Sequence, residues 1–335
     1  YFSAILYPTL QRSDFSSVYR LSVLLKEDID PEILQRAVNL TMPRFPTYKA
    51  AIRKGVFWRY LEPNDRPGPF VQEDVKNPCQ PMHFKGNNRY LVRIYYYRNR
   101  IALEAHHSLG DGTGGMCVLQ TLTATYLRLK GHSEIENGGF VLDILGIPDP
   151  GELEDAYMKY ANAKVCPPRP GEKTYRVRGT KEPFYTLNII DGIMSVSEVM
   201  QVAKSYNATI TEYLNSVLLY ALMRKQESEW HLKLRPVKIA MPVNLRRFFP
   251  SRTLRNFITM IYPGIDPRLG EYTFEEIVTQ VHNYMRYYLN EKLLRGDITT
   301  NAETQRNPFI RIVPLFIKDL VVRQFYTKIQ DKNSS

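Results

Sequence analysis

The chain has 335 residues, 44% hydrophobic and 24% charged, which is enough for one large or two average domains with a full core. Its three cysteines, Cys79, Cys117 and Cys166, are too few and too far apart for a disulfide framework or a metal spacing, and they point to a reducing cytoplasm. The net charge is +11, but the basic residues are scattered (Arg89, Arg93, Arg98 and Arg100; Arg235, Arg246, Arg247, Arg252 and Arg255), so a nucleic-acid partner is excluded and a solvated basic surface is expected.

In chain order, residues 18–26 read as a strand. Asp30-Pro31-Glu32 opens a helix with an N-cap and a proline at its first position, ending near Pro43. Residues 48–61 read as a hairpin around Lys54-Gly55. Residues 90–97 and 101–105 are aromatic and β-branched strands joined by the polar turn Arg98-Asn99-Arg100. Residues 116–130 carry helical apolar spacing, with Gly131 where a C-cap belongs. Two proline-rich stretches, Ile147–Gly151 and Cys166–Lys173, then break the pattern and mark a crossover.

The second half is expected to start with a strand at Phe184–Ile190. Ser195-Val196-Ser197-Glu198 and Thr209-Ile210-Thr211-Glu212 are capping-box patterns that open helices. Strands at 236–243 and 256–262 and helices at 273–294 and 314–328 follow. Strands and helices mix without strict alternation, which gives an α+β class rather than a doubly wound sheet. Ile310–Lys318 is the nearest approach to a membrane span, but it is short, charged and interrupted by Pro314, so it is expected as a buried segment.

The most informative residues are His106-His107-Ser108-Leu109-Gly110-Asp111-Gly112, at the corner between the second strand of the hairpin and the helix. Side chains alternate along a strand, so His106 shares a face with Glu104, and His107 with Ile101, Leu103 and Ala105. That divergence argues against one metal ion held by both imidazoles. Ser108 sits on no nucleophile elbow and Cys117 lies inside the helix, which argues against a histidine-activated nucleophile. Gly110–Gly115 contains Gly-x-Gly-x-x-Gly, but the preceding strands look antiparallel and no second parallel strand follows, so a dinucleotide loop is disfavoured. The glycines are read instead as allowing a sharp turn and close approach of substrate. A single histidine at a strand end suits general base catalysis, because imidazole titrates near neutrality. The structural alternative is a satisfied polar pair, against which Asp111 and its two flanking glycines weigh.

These seven residues resemble the His-His-x-x-x-Asp-Gly signature of the chloramphenicol-acetyltransferase-like superfamily, which includes condensation domains and alcohol acetyltransferases. Supporting similarities are Arg12-Ser13-Asp14 with the strand from Val18, Ile29–Val38 with Arg44-Phe45-Pro46, Asn207–Leu214, Met241–Arg246 and Leu254–Phe257. They are closest to the alcohol acetyltransferase-like branch. The resemblance implies two lobes, each a mixed sheet flanked by helices: an N-terminal lobe at 1–165, a crossover at 166–183 and a C-terminal lobe at 184–335. It implies His107 as general base, His106 as a supporting motif residue and Asp111 as a structural acid. Asp111 would pair with Arg246, or failing that Arg247. The Gly112 N–H is the first choice for an oxyanion donor and Asn256 the second.

The implied activity is acyl transfer, acetyl first, from coenzyme A to an alcohol or amine, with acyl-coenzyme A as co-substrate and no permanent cofactor or metal. The alternatives are a condensation-type enzyme fed by an acyl carrier protein and a non-catalytic binding relative. The basic surface would suit the phosphates of coenzyme A or an acidic carrier protein. Two departures stand out. The Asp-Phe-Gly-Trp-Gly motif of plant-type members is missing, and so are the expected final strands with Ser-Asn-x-Gly, so the second lobe is expected to be incomplete.

Overall fold

The computed structural model describes residues 3–11, 15–162, 172–180, 182–183, 186–229, 233–307, 311–322 and 324. Arg12-Ser13-Asp14, Cys166, most of the Cys166–Lys173 stretch, Phe184 and Tyr185 lie outside them, as does the helix expected beyond 324.

The first lobe begins with helix α1 (Ser3–Leu10), strand β1 (Val18–Leu24) and helix α2 (Pro31–Thr41). The Asp30 carboxylate accepts from the amides of Glu32 and Ile33, and Pro31 supplies a preset φ at the first position. The hairpin β2 (Ala50–Lys54) and β3 (Arg59–Pro63) follows, then β4 (Val71–Glu73), β5 (Val92–Tyr97) and β6 (Arg100–His106). The sheet order is β1-β6-β5-β4; β6 runs antiparallel to both neighbours and β4 parallel to β5. One face of β6 turns Ile101, Leu103 and Ala105 into the main core, against Leu34, Val38, Phe45, Tyr48 and helix α3 (Gly112–Leu129).

The other face of β6 is buried too, and it is charged. Glu104 is buried between Arg93 (2.7 Å) and Arg20 (3.1 Å) and also accepts the Cys79 amide (2.7 Å). Asp74 pairs with Arg20 and, at 2.7 Å, with Arg100. Arg93 is therefore not part of the solvated surface that the scatter of basic residues suggests, and Arg100 is tied down at its edge. A buried carboxylate survives there because several donors answer it.

Helix α3 runs from Gly112 to Leu129, four residues earlier than the apolar spacing indicates. The Asp111 side chain caps it by accepting from Thr113 and Gly114, so the glycines form its first turn instead of a loose loop. They also carry no strained backbone. A Cβ on Gly114 would strike the Leu254 carbonyl and come within 2.6 Å of the Tyr48 hydroxyl; one on Gly115 would meet Tyr19 at 2.6 Å. Gly114 thus serves packing between the lobes, and Gly115 the packing of the helix on β1. Gly131 ends the helix with φ at +110°.

After α4 (Ala156–Tyr160), the second lobe has α5 (Val196–Ser205), α6 (Ile210–Ser228), β7 (Val237–Lys238), β8 (Met241–Asn244), β9 (Ile258–Ile261), β10 (Gly264–Ile265), α7 (Phe274–Tyr288) and α8 (Glu291–Arg306). Three sequence expectations change here. Residues 186–190 are exposed and form no strand. The strand at 236–243 divides into β7, paired with β10, and β8, paired with β9; Pro242 and Pro263 withhold ladder donors around the break. The helix at 273–294 divides at Leu289, where the Asn290 side chain accepts the amides of Lys292 and Leu293 and starts α8 afresh.

Residues 315–322 form a last helical stretch that returns to the first lobe: the Leu315 amide bonds Val56 and Asp319 pairs with Arg59 at 2.6 Å. Within Ile310–Lys318, Ile310 lies outside the described residues, Leu315 and Lys318 are buried, and Ile312 and Phe316 are exposed, so the segment is only half buried. No helix among the described residues is long and apolar enough to cross a membrane.

Candidate active site

The two histidines at the end of β6 alternate to opposite faces, and their amides bond opposite neighbours. The His106 amide bonds Leu91 on the β5 side (2.9 Å), and the His107 amide bonds Ser17 at the start of β1 (2.8 Å).

His106 is fully buried. Its Nδ1 accepts the Ser108 amide (3.2 Å) and lies 2.8 Å from the Ser108 Oγ, so the neutral ring carries its proton on Nε2. Phe84 packs edge-on at 5.5 Å. Burial pulls its pKa down to about 3, with the charges of His107 and Arg93 adding to the effect. It is a neutral hydrogen-bonded strut of the loop.

His107 is partly exposed and sits on the opposite face. Tyr7 of α1 stacks on its ring at 5.0 Å, and Tyr19 of β1 lies tilted against it at 4.6 Å. Burial lowers its pKa, opposed by the Asn256 side chain, the Asp111 charge and the Gly110 carbonyl. The ring is accordingly neutral at physiological pH and able to accept a proton.

Asp111 turns away from His107 into the second lobe. Its Oδ2 accepts Arg246 Nη1 at 2.8 Å and the Phe257 amide at 2.9 Å, while Oδ1 accepts Thr113 and Gly114 of α3. Arg246 also donates to the carbonyls of Thr253 and Arg255. Arg247, the fallback, is exposed and makes no ion pair with Asp111. Asn256 Nδ2 donates to the His107 carbonyl at 2.7 Å, so it braces the motif backbone. Gly112 is exposed with open space around its Cα.

The motif loop is thus clamped between the lobes, with His107 on the seam. Among the described residues no group of three or more His, Cys, Asp or Glu is placed to hold a metal ion. The antiparallel β5–β6 pair is not the β-α-β setting of a dinucleotide loop.

Tyr7, Tyr19 and Tyr48 were not legible as site residues. Tyr19 pairs with Ala105, two residues before His107 on the same face, and that register was the one available signal. The Tyr19 hydroxyl contacts Tyr48 Oη and donates to the Asp111 carbonyl, both at 3.1 Å, which ties β1 to the motif.

No family model and no curated protein sequence matches the chain. Solved structures do. TRI101 of F. sporotrichioides, complexed with coenzyme A and T-2, matches with a TM-score of 0.58 at 12% identity over 94% of this chain and 79% of that one. Polyketide synthase associated protein 5 from Mycobacterium tuberculosis gives 0.54 at 13% identity, covering 90% and 73%. The condensation domain of the Monacolin K polyketide synthase MokA gives 0.51 at 12%, covering 91% and 74%. The chain therefore shares the fold of these proteins. In that fold the two lobes of this chain meet along the motif, and the Asp111–Arg246 bridge crosses the meeting line.

Proposed function

We propose that this protein is an acyl-coenzyme-A-dependent acyltransferase that moves an acyl group, acetyl first, to the hydroxyl of a small molecule, with an amine as the second acceptor class. One observation carries the reading: His107 stands neutral and partly exposed on the seam between the lobes, while the neighbouring carboxylate is turned away and spent on Arg246. A base needs a free imidazole, and Asp111 here fixes the loop instead of pairing with the ring.

The acceptor hydroxyl gives its proton to the His107 imidazole as its oxygen attacks the thioester carbonyl. The tetrahedral oxyanion collapses, the carbon–sulfur bond breaks, and the departing thiolate takes the proton back from the imidazolium. No covalent acyl-enzyme is required. The Gly112 N–H, at the open end of α3, is the donor we assign to the oxyanion. Asn256, bonded to the His107 carbonyl, holds the motif backbone.

Coenzyme A as the donor and an alcohol as the acceptor are supported by the TRI101 structures, one solved with coenzyme A and T-2 and another with coenzyme A and Deoxynivalenol. A carrier-protein-bound donor is the second reading, favoured by the likeness to the MokA condensation domain. We place the reaction in the cytoplasm: Cys79 and Cys117 are free thiols, each raised to about 11 by burial.

The test follows free thiol release from acetyl-coenzyme A with a panel of alcohols and amines, and in parallel from an acylated carrier protein. His107→Ala should remove the ~10²–10⁴-fold contribution of a general base while circular dichroism stays unchanged. Undiminished turnover in that variant would reject the base assignment. A wild-type chain that releases no thiol from either donor would leave only a binding role.

A further inference from the structure

Clustered arginines in this protein are usually answered by carboxylates. Arg20, Arg93 and Arg100 meet Glu104 and Asp74; Arg44 holds Glu152 through two bonds of 2.7 and 2.8 Å; Arg59 holds Asp319; Arg246 holds Asp111. A second-lobe cleft of about 470 Å³ departs from that rule. Lys173 and Arg178 line one wall and Lys233 and Arg235 the other, and among the described residues no acidic residue lines it. The acids nearest in sequence are engaged by other groups: Glu172 is held by Arg268 at 2.7 and 2.8 Å, and Glu229 pairs with Lys225 at 3.3 Å and lies behind the buried Tyr175 side chain. Among the described residues, Lys173, Arg178, Lys233 and Arg235 form no ion pair.

The walls are built rather than loose. The Tyr175 amide donates to the Pro236 carbonyl at 2.8 Å, joining one wall to the other, and the Tyr175 ring is buried in the second-lobe core. Buried Gln226 grips the Arg235 backbone twice, accepting its N–H at 2.8 Å and donating to its carbonyl at 3.0 Å. Four cations around one concavity repel one another and focus a positive field into it. A polyanion with phosphate oxygens relieves that repulsion and accepts charge-assisted hydrogen bonds from the guanidinium forks.

We infer that this cleft is a polyphosphate-binding site that takes a ligand of nucleoside-bisphosphate size. The binding claim stands apart from the acyl-transfer reading, since it requires no turnover. The ligand has two chemical sources: the phosphorylated tail of a coenzyme A donor, or a separate nucleotide.

Isothermal titration calorimetry of the full chain with adenosine 3′,5′-bisphosphate, inorganic pyrophosphate and uncharged adenosine tests it. The two anions should bind and adenosine should not, with affinity falling as salt rises. Lys233→Ala/Arg235→Ala should weaken the bisphosphate about tenfold or more, and Arg178→Gln, on the opposite wall, should also weaken it. Lys26→Ala/Lys54→Ala removes equal charge from exposed positions elsewhere and should leave binding unchanged. Displacement of the bisphosphate by coenzyme A assigns the cleft to the donor's tail; simultaneous binding assigns it to a separate ligand. Absence of binding by either anion, or equal weakening in the two double variants, overturns the site.

Discussion

Arg246 and Asp111, 135 residues apart in the chain, meet at 2.8 Å across the seam between the lobes. Asp111 is almost fully buried and Arg246 nearly so, and the carboxylate also caps α3. Such a pair gives little net stability against an apolar substitute, yet it is costly to break from one side. Asp111→Ala and Arg246→Ala should each lower unfolding stability by ~3–5 kcal/mol, and the double variant should lose clearly less than their sum. Urea denaturation of the four proteins measures the coupling. Additive losses would mean that the pair carries no linkage between the lobes. Arg246→Lys should recover only part of the stability, since an ammonium lacks the fork that reaches both Asp111 oxygens and two carbonyls.

The pH dependence of kcat/KM reads out the His107 environment. Burial holds its pKa below the ordinary 6.5. The reactive form of a base is the unprotonated one, so activity should rise with pH on the acid side, with the midpoint of that limb below pH 6.5. Tyr19→Leu should move that limb upward, because it removes a ring packed on the imidazole and lets water in. An acid limb centred above 6.5 in the wild type contradicts a partly desolvated, neutral His107 imidazole.

His106 makes a separate prediction about stability. Its folded pKa is lowered to about 3 from an unfolded value near 6.5. Below pH 6.5 the unfolded chain takes up a proton that the folded chain refuses. The stabilising contribution is therefore complete above 6.5 and is lost as the pH falls toward 3, on the order of 1 kcal/mol per pH unit within that window. Comparing urea midpoints of wild type and His106→Gln between pH 7 and pH 4 isolates it: the variant should show the shallower decline. Parallel curves would mean that His106 titrates normally in the folded state.

What could be read in advance was whatever local pattern determines. Alternation along β6 sent His106 and His107 to opposite faces, and Asp30-Pro31 and Thr209–Glu212 announced their helices through caps that need no tertiary partner. The misreadings share one physical cause, which is contact with distant chain. Gly112–Gly115 reads as a loop on propensity but folds as helix, because Asp111 caps it and Leu254, Tyr48 and Tyr19 press where side chains would go. Glu104 is placed by alternation on the His106 face, but nothing local shows that Arg20 and Arg93 arrive from two neighbouring strands to meet it there. Tyr7 reaches His107 from a helix 100 residues earlier, a stacking no spacing rule can anticipate.

Gly114 and Gly112, in the first turn of α3, should separate packing from flexibility. A methyl group at position 114 has no room: the Leu254 carbonyl and the Tyr48 hydroxyl occupy the space, and neither is the end of a flexible chain. Gly114→Ala should force the second-lobe segment off the motif, with a loss of ~3 kcal/mol or more and a fall in activity, since the same segment carries Asn256 and the Asp111 contacts. At position 112 there is open space and an unstrained helical backbone. Gly112→Ala keeps the backbone N–H assigned to the oxyanion and replaces glycine with a better helix former, so stability should hold within about 0.5 kcal/mol or rise, and turnover should persist. Thermal unfolding and thiol release on the two variants decide the matter. Equal damage at both positions would mean that the motif needs glycine for backbone freedom, as the sequence alone suggests, and that the contact with Leu254 is incidental.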